Sequence, residues 1–492
     1  MNRPIRRVAI AVGVLMCALL INLNFVQVVK SDSYRNNKNN RRVILNEYAN
    51  PRGSIIVQGT PIAESVPTKD ELKYLRKYPD GPTYADLTGW YSLIYDKNGL
   101  EDAEDGLLSG NDSRLLGNRI TDLLTGRTPE GGSIELTVNK AAQRAAVKGL
   151  GGRRGAVVAL DPRTGAILAA ASSPSYDPSA LSSHNLDAIQ ASYKKLNDDK
   201  EQPLLPRAFQ ASYPPGSVMK VIVAAAALRD GKKPTDVIPA PNVLQLPNGG
   251  TMRNFNGETC GNGKTTTLIQ ALTISCNTAF GQLGVTVGQQ KLQDEANLFG
   301  MDGQDFSMPL TVSGSSMGEI KDGSQLAQSS IGQFNVQMTP MQAAMIAAAV
   351  ENNGTLMKPY LVQQELAPNL SVLNKTDPQV QSQVLPADLN LELQSMMESV
   401  VSSSSGTGTK AQIPGERVGG KTGTADNSDA TGKPLAPHAW FTGYAADDAH
   451  PIAIAVVLEN AGVSGNESAG GEAAAPLARD VMKAYLDDTS GR

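Results

Sequence analysis

The chain has 492 residues, 40 % apolar and 19 % charged, with a formal net charge of −4. That length exceeds one ordinary core, so two or three domains are expected, and the composition is globular rather than disordered. The charge balance gives no sign of a bulk polyanion partner, and with only three cysteines and three histidines, no two histidines at ligand spacing, a catalytic zinc site is not expected.

Arg3, Arg6 and Arg7 precede an apolar run from Val8 to Ile21, which continues past Asn22 and Asn24 through Phe25 and Val26 to Val29. A helix of about 20 apolar residues crosses a bilayer. Residues 8–29 are therefore expected as an uncleaved transmembrane anchor, with residues 1–7 as a cytoplasmic tail. A cleaved signal peptide would need a small-x-small site, which "INLNFVQVVK" does not offer, and a lipoprotein site at Cys17 would want a small residue where Met16 stands. Lys30, Arg35, Lys38, Arg41 and Arg42 follow the span, so charge flanks both ends and leaves the orientation to be decided by chemistry. "YRNNKNNRR" reads as a solvated or headgroup-facing stalk, not as a nucleic-acid arm.

Residues 30–152 are expected to form a smaller, non-catalytic α+β module, a pedestal or interaction unit without a dominant apolar core. "DELKYLRKYPDG" predicts a polar helix that stops at Pro79-Asp80-Gly81. "GSIELTV" alternates like a strand, and "NKAAQRAAVKGLGG" predicts a helix closed by glycines. Residues 153–492 read as one α+β domain. It opens with two apolar strands in "GAVVALDPRTGAILAAAS", turning at Asp161-Pro162-Arg163-Thr164-Gly165. Helices follow at Val218–Leu228, Leu268–Ile274 and Met341–Val350, then strands at Trp440–Tyr444 and Ile452–Leu458. A final helix sets Leu477, Val481, Ala484 and Tyr485 on one face. The sheet would join the beginning and end of this domain, with helices on both faces.

Within "YPPGSVMKVIVAAAAL", Lys220 is the only polar side chain between Val218 and Leu228, so its helix is apolar all round and expected to be buried. Ser217 stands at the start of that helix, on the same face as Lys220. Burial disfavours an ammonium, and a neutral amine beside a hydroxyl is a base beside a nucleophile. The alternative is a capping serine with a lysine that snorkels to solvent. Ser192 and Lys195 repeat the spacing in "ASYKKLNDDK", where the polar surroundings make the lysine simply solvated.

"ALTISCNTAF" carries Ser275 and Asn277, and "RVGGKTGTA" carries Lys421, Thr422, Gly423 and Thr424. Each is weak alone, but the ordered trio S-x-x-K, S-x-N, K-T-G is far more specific. On these motifs residues 153–492 resemble the transpeptidase domain of a class B penicillin-binding protein, with actinobacterial members as near kin. "NPRGSI" at Asn50–Ile55 resembles that class's N-terminal module. The resemblance implies a serine β-lactamase/transpeptidase-like fold and a monofunctional D,D-transpeptidase of peptidoglycan. Ser217 would be the nucleophile and Lys220 its base, and Ser275 would relay a proton to the leaving amine. Asn277 would hold Lys220 and the substrate amide. Lys421 would supply positive potential, the backbone N–H groups of Ser217 and Thr424 would form an oxyanion hole, and Thr422 and Thr424 would hold the terminal carboxylate. Gly423 would leave room for a peptide along the strand edge. No cofactor or metal is needed. The implied partners are stem peptides, β-lactams, the membrane and other cell-wall synthesis or division proteins. The catalytic domain would lie outside the cell membrane on a single-pass anchor.

A membrane-anchored D,D-carboxypeptidase or β-lactamase of the same fold is the nearer alternative. A P-loop is the remote one: "GERVGGKT" fits G-x-x-x-x-G-K-[ST], but "GTADNSDATGKPLAP" after it is turn chemistry that cannot open a helix. His438 has no role in the scheme and is expected at the surface or a strand end rather than in the cleft. Outside the cytoplasm only Cys260 and Cys276 remain, an even pair that invites a disulfide pinning the second motif to the preceding loop.

Overall fold

Apolar alternation along short extended segments builds two large sheets beside three two-stranded ones, seen in a computed structural model that describes residues 3–30, 45, 47–302, 308–428, 433–461 and 470–491. Ahead of them, helix α1 (Arg3–Asn24) runs on through a π-helical turn at Phe25–Val29 and buries no residue. Among the described residues, Arg3–Val28 is the one helix long and apolar enough to cross a membrane, with a mean hydropathy of 2.3.

The first sheet contains β1 (Ile55–Val57), β2 (Thr60–Pro67), β3 (Tyr74–Lys77) and β4 (Ser133–Leu136). Two strands from far along the chain complete it, giving the order Val372–Lys375, Val362–Leu366, β4, β1, β2, β3. Sequence patterning predicts a helix where β3 lies. The strand forms because Pro67 to Glu64 offer it a pairing edge, and because Lys73 takes a φ of 63°, which no helix admits. Arg76 then points inward. Its Nε donates to Glu101 at 2.6 Å, and Arg52 Nε donates to the same carboxylate at 2.6 Å. Burial works against that charge, but Arg76 and Arg52 hold the carboxyl below the usual range.

The N-terminal module does have an apolar core. Ile55, Val57, Ile62, Ile134 and Leu136 are buried, and they belong to one cluster with Val218, Ile222 and Met345 of the later domain. Helix α2 (Lys140–Leu150) is capped by Asn139, closed by left-handed Gly151, and packs Ala142, Ala146 and Leu150 with Leu477 and Val481 of the second layer system.

That second system is a five-stranded antiparallel sheet of β5 (Gly155–Leu160), β6 (Ile167–Ser173), β7 (Arg417–Ser428), β8 (Pro434–Ala446) and β9 (Ile452–Leu458). The order is β7-β8-β9-β5-β6, so the beginning and end of the domain meet at β9–β5. Period-two alternation sends Ala156, Val158 and Leu160 into one cluster and Val157 and Ala159 into the other. The first face receives helices α3 (Lys220–Arg229), α4 (Asn277–Val287), α5 (Pro340–Glu351) and α6 (Ala387–Ser402), and the second receives α2 and α7 (Ala475–Thr489). Helix α5 is buried from Pro340 to Val350, as a helix apolar all round must be.

Candidate active site

The Pro214-Pro215-Gly216 break is held by two backbone bonds between Tyr213 and Met338, at 3.0 and 2.9 Å. Gly216 takes a φ of 53°, and a Cβ there would stand 2.3 Å from the Thr424 carbonyl oxygen. Only glycine allows this turn to abut β7 so closely. The next residues make a 3-10 turn, Gly216–Met219, before α3 begins at Lys220. Ser217 therefore sits within the tight turn, 6 % exposed, rather than at the cap of an α-helix.

Lys220 is fully buried, so the snorkelling alternative fails. Its Nζ donates to the Ser275 carbonyl at 2.6 Å, to Asn277 Oδ1 at 2.6 Å and to Ser275 Oγ at 3.2 Å. Ser275 reaches it from a left-handed backbone, φ 62°, between the helix Leu268–Thr273 and α4. For a non-glycine residue that conformation costs on the order of 1 kcal/mol. The distortion turns both the carbonyl and the hydroxyl of Ser275 toward one amine.

From the opposite side comes Lys421, also fully buried, on edge strand β7. Its Nζ donates to Ser275 Oγ at 2.9 Å and to the Thr422 carbonyl at 2.8 Å. One hydroxyl thus lies between two buried amines, each in hydrogen-bond reach. A hydroxyl so placed can accept a proton from one side and release one to the other. Among the described residues no strand lies beside the outer edge of β7, so an extended peptide has an edge to join.

The K-T-G positions differ in part from expectation. Thr422 is 3 % exposed, and its Oγ1 lies 2.6 Å from Thr407 Oγ1. Thr407 was not singled out by sequence reading; "SSSSGTGTK" offers only serine, threonine and glycine, the ordinary letters of a loop. A Cβ on Gly423 would meet the Pro215 carbonyl at 2.8 Å, Trp440 Cβ at 3.0 Å and Val218 Cγ2 at 3.1 Å. The turn that carries Ser217 thus demands a glycine here whether or not a peptide lies along the strand. Thr424 pairs with Ala439 and is half-buried.

Cys260 and Cys276 are joined, with a Cα–Cα distance of 6.1 Å, and Cys276 separates Ser275 from Asn277. Lys195 is exposed on a helix of its own, Leu186–Asn197, apart from this cluster. His438 is neither a surface residue nor at a strand end. It is buried within β8, edge-on to Tyr213 at 5.2 Å, and burial pushes its pKa down. Arg417 to Thr422 of the nominal phosphate loop lie inside β7, whose strand continues to Ser428 with no helix to open, so a P-loop is excluded.

Two family models match the chain: the penicillin binding protein transpeptidase domain over residues 155–483, and the penicillin binding protein A dimerisation domain over residues 52–134. The peptidoglycan D,D-transpeptidase PbpA of Mycolicibacterium smegmatis is 41 % identical, with 100 % of both chains covered. The protein of that name from Mycobacterium tuberculosis is 40 % identical over 99 % of each. Among solved structures, penicillin-binding protein A from M. tuberculosis as an imipenem acyl-enzyme complex superposes with a TM-score of 0.84 at 39 % identity, covering 90 % of this chain and 100 % of that one. Its penicillin G acyl-enzyme complex also has a TM-score of 0.84, at 38 % identity, covering 89 % of this chain and 100 % of that one.

Proposed function

The chain belongs to the penicillin-binding protein transpeptidases, and on that premise we propose that it cross-links peptidoglycan as a serine D,D-transpeptidase and is acylated by β-lactams. The observation that carries the reading is Ser275 Oγ between the amines of Lys220 and Lys421, at 3.2 and 2.9 Å. Ser217 attacks the carbonyl of the penultimate D-Ala of a stem peptide, and Lys220, unprotonated at that moment, takes the hydroxyl proton. The oxyanion forms between the backbone N–H groups of Ser217 and Thr424, a placement favoured by the close approach of Gly216 to Thr424. Ser275 passes a proton to the departing D-Ala amine and is recharged from the lysines. Asn277 fixes Lys220, while Lys421 sets the positive potential for the substrate carboxylate, which Thr422 and Thr424 receive. A second stem's amine then attacks the ester on Ser217, closes the cross-link and frees the serine.

The substrate lies outside the membrane, so α1 serves as a single-pass anchor with residues 1–7 inside and the two sheets outside. Residues 30–152 form the non-catalytic pedestal, and other cell-wall synthesis or division proteins are its partners. Fluorescent penicillin should label the full chain and fail to label Ser217→Ala; absence of label on the natural chain overturns the proposal. Slow hydrolysis of the acyl-enzyme separates transpeptidase from β-lactamase. Product analysis on stem peptides with and without an acceptor amine separates it from carboxypeptidase.

A further inference from the structure

The short helix Leu116–Thr125 carries an apolar stripe that none of the described residues covers. Leu116, Ile120 and Leu124, spaced by four on one face, are 56, 50 and 81 % exposed. The preceding Leu115 is buried in the core, so the helix is rooted at its start and turns this stripe outward. Across a groove lined by Thr121, Arg127, Pro368 and Asn369 stands the tip of the hairpin between the two late strands, where Leu370 and Val372 are 62 and 56 % exposed.

The sheet topology says which end of the module this is. β1 and β4 are parallel, with Ile55 beside Ile134, so both strands begin at the same end. At that end the incoming chain is stitched to the loop after the helix, through Gly131 N–H to the Pro51 carbonyl at 3.1 Å. Leu366 pairs with Ser133, so the hairpin tip emerges there too. The catalytic domain departs from the other end of β4, through Thr137 and Asn139 into α2. The exposed stripe therefore lies at the end where the chain arrives from α1. From Lys30 to Tyr48 that tether reaches at most about 60 Å even when fully extended. Arg119 and Arg127 lie beside the stripe and are balanced by Asp122 and Glu130, so its surroundings carry no net charge and the apolar face is what can dock. An exposed apolar stripe on an amphipathic helix, at the end of the module where the chain arrives from an anchor, is placed to lie in a bilayer interface.

We propose that Leu116, Ile120 and Leu124, with Leu370 of the neighbouring hairpin, dock into the outer leaflet and hold the pedestal against the lipid surface. The docking need not be tight by itself, because the anchor makes it intramolecular. The proposal rests on the anchored reading of α1, and one preparation tests both.

The full chain is placed in liposomes of phosphatidylglycerol and phosphatidylcholine, with or without bromine on the acyl chains. Tryptophan is introduced as Ile120→Trp, Leu124→Trp or, on the catalytic domain, at exposed Val237 as Val237→Trp. The fluorescence added at positions 120 and 124 should be quenched by the brominated lipid and that at 237 should not; the natural Trp90 and Trp440 are buried and give a constant background. Replacing Leu116, Ile120 and Leu124 together by serine should speed tryptic cutting after Arg119 and Arg127 in liposomes, with penicillin acylation unchanged. A chain that does not float with liposomes overturns anchor and docking together. One that floats without quenching at 120 and 124 overturns the docking alone. Quenching that fades as protein becomes denser in the bilayer assigns the stripe to a second copy or another protein, and also overturns it.

Discussion

Replacing Gly423 by alanine tests the contact between the Ser217 turn and β7. The new methyl would lie 2.8 Å from the Pro215 carbonyl oxygen, 3.0 Å from Trp440 Cβ and 3.1 Å from Val218 Cγ2. None of these can swing away: one is backbone, one is the stem of a ring whose Nε1 is bonded to the Pro214 carbonyl at 3.1 Å, and one is the neighbour of the nucleophile. Ordinary carbon contacts need about 3.5 Å or more, so turn and strand must part by roughly 0.5 Å. Such overpacking costs about 1–3 kcal/mol of stability. Since a shift of about 1 Å at reacting groups costs on the order of 100-fold in rate, about 10-fold slower acylation is expected here. Stopped-flow acylation with a penicillin, alongside thermal melting, measures both. Unchanged melting and unchanged acylation would refute the steric reasoning. So would normal acylation by penicillin with impaired use of stem peptide alone, because that pattern belongs to a glycine kept for substrate room.

Lys421→Met removes a donor to Ser275 Oγ and should slow penicillin acylation by on the order of 100-fold with the fold retained, read by stopped flow and circular dichroism. The Cys260–Cys276 bridge spans a separation of 16 residues, so opening it should cost about 3 kcal/mol in a denaturant titration and lower acylation through the displaced Ser275 turn; free thiols at both positions in the unreduced protein would end that expectation. Glu104 is raised from 4.5 to about 7 by burial and then by the nearby charge of Glu365. The folded state therefore holds this proton more tightly, and the associated stability is present below about pH 4.5, declines as pH rises toward 7 and is absent above it. Glu104→Gln should then stabilise the protein by about 2 kcal/mol at pH 8, after allowance for its partial exposure, and change little at pH 4.5, read as melting temperature across pH.

The motifs and the catalytic domain's frame were legible because their signals are local. Asp161 to Gly165 is a turn whatever surrounds it, and an apolar helix with one lysine can only be buried. What failed was decided at a distance. "DELKYLRKYPDG" has helical letters, but Arg76 is drawn inward by Glu101 and the segment pairs with β2. Val362–Leu366 reads as an ordinary strand, and nothing in it says that its partner lies more than two hundred residues upstream. Thr407 has no chemical mark until β7 brings Thr422 beside it. Gly423 was legible as a required glycine, yet the reason for it came from Pro215, a residue on a different element.

The borrowed strands have a consequence for how the protein is made. β4 is complete once residue 136 has emerged, but its free edge stays a row of unpaired N–H and C=O groups until Val362–Leu366 arrives. By then Ser217 and Ser275 have both been synthesised. The N-terminal sheet, begun first in the chain, thus stays open on this edge until Leu366 has been made. A protein cut at residue 152 would leave β4 without its mate on one side and a stranded hairpin on the other. The two sheets are separable on paper and joined in folding, so the later part of the chain is obliged to finish the earlier one.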